Sequence, residues 1–81
     1  MKNINLLSQN GGILVNYRNV LRLFIRKVDN HIPWEIRVEY PKGGGFDTMA
    51  RFNSLKECET VFTKVANLIA NETSLISFDD L

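Results

Sequence analysis

Polar and apolar residues alternate most regularly over residues 34–40. Trp34, Ile36, Val38 and Tyr40 fall on one side and Glu35, Arg37 and Glu39 on the other. A period of two with one wet face predicts a half-buried antiparallel strand. Residues 20–28 predict a second, with Leu21, Leu23 and Ile25 opposite Arg22, Phe24 and Arg26. Residues 46–52 predict a third, with Phe46, Thr48, Ala50 and Phe52 inward and Asp47, Met49 and Arg51 outward. Two shorter strands are expected near residues 3–8 and 13–17, joined across Asn10-Gly11. Asn and Gly both tolerate positive φ, which makes that dipeptide a hairpin signal.

The period changes after Asn53. Leu55, Cys58, Phe62, Val65 and Ile69 recur at helical spacing, and Val61 and Leu68 widen the stripe. Ser54-Leu55-Lys56-Glu57 has the form of a capping box, in which Ser and Glu satisfy backbone N–H groups left free at a helix start. Asn71 ends the helix. The predicted fold is α+β. A curved antiparallel β-sheet of four to five strands carries one C-terminal helix on one face, a two-layer sandwich. Residues 1–71 form the domain, and residues 72–81 are expected as an acidic C-terminal tail.

Composition narrows the class. With 44% apolar residues the chain is above the disordered range. At 81 residues it buries only about 60–65% of the surface its unfolded form exposes. So thin a core gains from self-association, and a homo-oligomer, a dimer first, is expected. The single Cys excludes an internal disulfide and points to a reducing, cytoplasmic setting. No apolar run approaches the length of a membrane span, and none resembles a signal peptide. One His and one Cys give no metal spacing, so neither metal nor cofactor is expected.

Charge is uneven. Residues 72–81 hold Glu72, Asp79 and Asp80 and no base. Residues 1–71 hold all ten bases and the other six acids, with Arg18, Arg22, Arg26 and Lys27 grouped.

Catalytic chemistry is almost absent. Cys58 and His31 are the only nucleophile–base candidates. Cys58 lies on the apolar helix stripe between Glu57 and Glu59, which oppose thiolate formation. The chain is therefore read as a non-enzyme. Arg22, Phe24, Arg26, Arg37, Met49 and Arg51 are expected on the outward sheet face, where they suit a protein partner. Bases interleaved with an aromatic also suit single-stranded nucleic acid, the alternative reading, although Glu35, Glu39 and Asp47 repel phosphate. Lys42, Gly43 and Gly44 in a glycine-rich turn are a weaker candidate for an anion, which would make the protein an oligomer sequestering a small phosphorylated ligand. The leading expectation is a small interaction module, a regulator or inhibitor of the kind mobile elements encode, acting on a protein partner.

Overall fold

The computed structural model describes residues 3–81. Strands β1 (Asn5–Leu7), β2 (Leu14–Asn16), β3 (Arg22–Lys27), β4 (Trp34–Glu39) and β5 (Phe46–Phe52) precede helix α1 (Leu55–Ala70). A sixth strand, β6 (Leu75–Ser77), follows the helix.

The six strands make two three-stranded sheets, not one sheet of four or five. One is antiparallel, ordered β3-β4-β5. The other is mixed, ordered β2-β1-β6, with β1 antiparallel to β2 and parallel to β6. The break falls after β2. A 3-10 turn over Tyr17–Asn19, held by Arg18 N–H donating to Asn16 Oδ1 at 3.0 Å, carries the chain out of the first sheet. Among the described residues, nothing pairs with the outer edge of β2. The other side of β1 is filled by residues from the far end of the chain.

The segment expected as a tail is therefore woven into the domain. In β6, Ile76 pairs with Leu6 and is 1% exposed. Phe78, in a 3-10 turn over Phe78–Asp80, is also buried. Asp79 Oδ2 accepts from Asn10 N–H at 2.8 Å, tying this turn to the Asn10-Gly11 turn. Asn10 and Gly11 take φ of 66° and 69°, the left-handed geometry that made this dipeptide a turn signal.

One core joins both sheets and the helix. Leu6, Val15 and Ile76 form a buried row across the mixed sheet. They share a cluster with Ile36, Val38, Met49 and Ala50 of the antiparallel sheet and with Cys58, Val61 and Val65 of α1. Ser54 Oγ caps the helix by accepting from Glu57 N–H at 3.2 Å. Phe62, expected at the centre of the apolar stripe, is only half-buried, and the centre runs along Cys58, Val61 and Val65.

Candidate interaction face of the antiparallel sheet

The register of β3, β4 and β5 sets nine side chains on the sheet face away from the core. Across the strands they read Arg22–Glu39–Phe46, then Phe24–Arg37–Thr48, then Arg26–Glu35–Arg51.

A β-bulge puts Phe46 and Thr48 there. Ile36 pairs with Ala50, but Arg37 pairs with Thr48, so Met49 is an extra residue without a partner. A bulge sets two residues against one and reverses the side-chain parity beyond it. The consecutive residues Met49 and Ala50 are both buried, at 1% and 2% exposure. Three expectations are corrected here. Met49 is a core residue and no part of the outward face. Phe46 and Thr48 change from inward to outward. Asp47 changes the other way, pairs with Val38, and accepts from the Tyr40 hydroxyl at 2.7 Å. Burial, together with that bond and the Asp47 charge, pushes the Tyr40 pKa up to about 12. Strict alternation in residues 46–52 hid the bulge. Its one trace was an apolar Met among wet positions.

Glu35 organises the face. Its side chain is 2% exposed, and both oxygens are used. Oε1 accepts from Arg37 Nε at 2.7 Å and from the Thr48 hydroxyl at 3.1 Å. Oε2 lies 3.1 Å from Arg51 Nε. A buried carboxylate is stable only when it is paired and hydrogen-bonded in this way. Arg37 is held twice, because its guanidinium also lies 4.1 Å from the centroid of the Phe46 ring. Nearer the other end, Arg22 pairs with Glu39 and stacks 4.3 Å from the centroid of Phe24. Arg26 makes no ion pair among the described residues.

The face therefore keeps Arg22, Phe24, Arg26, Arg37 and Arg51 as expected and adds Phe46 and Thr48. Glu35 and Glu39 are counter-ions within it. Phe46 remains 53% exposed. What the arrangement can do chemically is bind. The guanidinium of Arg37 has its Nε engaged and its plane stacked, which leaves its terminal N–H groups in a fixed direction.

The other candidates lie elsewhere. Lys42 and Gly43 are the left-handed centre of a tight turn, with φ of 59° and 72°. Gly44 N–H donates to Pro41 O at 3.2 Å, so it is committed to the turn. Cys58 is fully buried, and burial, aided by Glu59, pushes its thiol pKa up to about 11. His31 is exposed in the loop between β3 and β4. A shallow groove of about 340 Å³ runs between Phe52, Ser54, Val61 and Leu81. No group of three or more potential metal ligands occurs among the described residues. No described helix is long and apolar enough to cross a membrane. No family model, curated protein or solved structure matches the chain.

Proposed function

We propose that this protein is a non-catalytic interaction module whose antiparallel sheet face binds a protein partner, in the manner of a small regulator or inhibitor. The observation that carries the reading is the fixed Arg37, clamped between buried Glu35 and the ring of exposed Phe46. Arginine and aromatic residues dominate binding energy at protein interfaces, and side chains already held in place lose little entropy on binding. The nucleic-acid reading is less well supported. Arg22, Arg37 and Arg51 are matched to carboxylates on the same face. The rings of Phe24 and Phe46 carry guanidinium groups where bases would stack.

Self-association belongs to the same proposal, through a different surface. The outer face of the mixed sheet carries Leu14, Leu7 and Leu75, and Leu14 and Leu75 are 64% and 55% exposed. Light scattering at high micromolar concentration should show a dimer that Leu14→Asp dissolves. A strict monomer at that concentration removes the oligomer from the proposal.

The test of partner binding uses the whole chain as bait in a host lysate, with and without nuclease, beside a Phe46→Ala variant. Capture of a defined protein should survive nuclease and fall with Phe46→Ala. In parallel, binding to single-stranded oligonucleotides is titrated against salt. Affinity that falls with a slope near −0.7 per phosphate contact, with capture abolished by nuclease, would replace the protein partner by nucleic acid.

A further inference from the structure

The antiparallel sheet has two edges, and they are treated differently. On the β5 side, Arg51 N–H donates to Gln9 Oε1 at 2.8 Å, so the Gln9–Gly11 turn covers part of that edge. On the β3 side, the six-residue strand Arg22–Lys27 pairs only with β4 among the described residues. The edge strands of the mixed sheet, β2 and β6, have three residues each.

The direction of the free backbone groups follows from one bond. Val28 N–H donates to Pro33 O at 2.8 Å, so Val28 belongs to the set whose backbone points toward β4. Hydrogen bonding alternates along an antiparallel strand. Arg26, Phe24 and Arg22 therefore also bond toward β4. Leu23 and Ile25 present their N–H and C=O groups outward. Their side chains, on the helix side with Val38 and Ile36, are only half-buried. Among the described residues the edge lacks a hydrogen-bonding partner, and the core covers Leu23 and Ile25 only in part.

Charge selects the occupant. On the outer face the edge shows Arg26, which makes no ion pair among the described residues, beside Arg22, which is shared with Glu39; the strand ends in Lys27, and β3 contains no acid. A second copy fits badly. Residues that bond outward can face only one another, so two antiparallel copies pair centred on Phe24, with Arg22 of each facing Arg26 of the other, or centred on Ile25, with Arg26 of each diagonal to Arg22 and Arg26 of the other. Like charges directly opposite destabilise a ladder. Basic residues on an edge are a common device against self-pairing, and the same residues attract an acidic strand.

We infer that β3 is a docking edge for an extended segment of a partner protein in which acidic and apolar residues alternate. The segment adds a fourth strand beside Leu23 and Ile25, with its acids on the Arg22–Arg26 side and its apolar residues beside Leu23 and Ile25. The inference rests on the proposed protein-binding function and names the partner's chemistry.

The test uses isotope-labelled full-length protein, a short peptide alternating Glu and Val, and its Lys–Val counterpart. The Glu–Val peptide should slow amide exchange at Leu23 and Ile25, and added salt should weaken its binding. Arg26→Gln breaks no ion pair among the described residues and puts no like charge opposite Glu35, so the variant should fold. It should weaken the Glu–Val peptide about three- to tenfold and narrow its preference over the Lys–Val peptide. Three results would overturn the inference. The first is no protection of Leu23 and Ile25 by the Glu–Val peptide. The second is equal affinity of the native protein for both peptides. The third is protection that grows with protein concentration alone, which gives the edge to a second copy. Capture that depends on Phe46 is a separate readout, so it can stand when the edge prediction fails.

Discussion

Leu75 and Ile76 are neighbours in β6 with opposite fates, and substituting each by Ala tests the mixed sheet directly. Ile76 is 1% exposed in the row with Leu6 and Val15, whereas Leu75 is 55% exposed on the other side. Ile76→Ala removes three buried carbons and leaves a cavity between β6 and the core, at a cost of about 2–5 kcal/mol. A domain of this length holds roughly 4–12 kcal/mol in total. The substitution therefore removes a large fraction of that. At about 4–8 °C per kcal/mol, the melting temperature should drop by at least about 8 °C. Leu75→Ala should cost about 0.5 kcal/mol or less in the monomer, because its side chain is already largely in water. Thermal melts followed by circular dichroism, at a concentration low enough to keep the protein monomeric, provide the comparison. Equal shifts would mean that β6 is not registered as Leu6↔Ile76. A reversed order would mean a one-residue slip, since a slip exchanges the two faces.

Other consequences can be checked on single variants. Glu35→Ala should cost about 3 kcal/mol in urea unfolding, the low end for a broken buried pair, because Arg37 and Arg51 keep 14% and 47% of their exposure. Arg51→Ala should cost less than Glu35→Ala, about 1–2 kcal/mol, because Arg37 and Thr48 still hold Glu35 Oε1 while Oε2 loses its partner. Cys58 should resist thiol reagents near neutral pH until the protein unfolds. Its folded pKa of about 11 lies above the ordinary 9.0, so its contribution is fully present below pH 9 and is lost as pH rises through 11. Reaction with reagent as fast in the native state as in urea would contradict the burial. Ser54→Ala should cost about 1 kcal/mol through loss of the helix cap, read as a lowered urea midpoint.

Local chemistry was legible wherever it was local. The capping Ser54, the Asn10-Gly11 turn and the alternation of residues 34–40 each depend on a few adjacent residues, and each lies where its pattern placed it. Two features depend on distant partners. The parallel pairing of β1 with β6 joins Leu6 to Ile76 across nearly the whole chain. Parallel strands carry no connecting turn, so no dipeptide announces them. A three-residue strand is also too short for its period to separate from a loop. The surplus of apolar residues among 73–81 was the one sign that this stretch had somewhere to pack. Phe62 differs again. Helical spacing identified its stripe, but only the positions of the sheets decided that Val61 and Val65, and not Phe62, lie at the centre.

The bulge at Met49 connects fold to face. Without it, regular alternation would put Phe46 and Thr48 on the helix side, and Arg37 would lose the ring it stacks on and a hydroxyl that shares its carboxylate. Asp47 would then stand on the wet face, beyond reach of the inward-facing Tyr40 hydroxyl that it now accepts from. The bulge thus lets a seven-residue strand keep its polar cluster on one side of the sheet and supply a buried Met to the core on the other. Bulges re-aim side chains in this way at functional edges. Deleting Met49 should leave the faces where they are. Thr48 and Ala50 become neighbours, strict alternation returns, and every other pair of β4 with β5 keeps its register, with Phe46 and Thr48 outward and Asp47 inward. What is lost is a buried side chain and the bend of the strand, so the variant should melt at a lower temperature yet keep partner capture and a Tyr40 pKa near 12. A folded deletion variant that loses capture, with Tyr40 back at its ordinary 10.0, would mean that Met49 is not the extra residue.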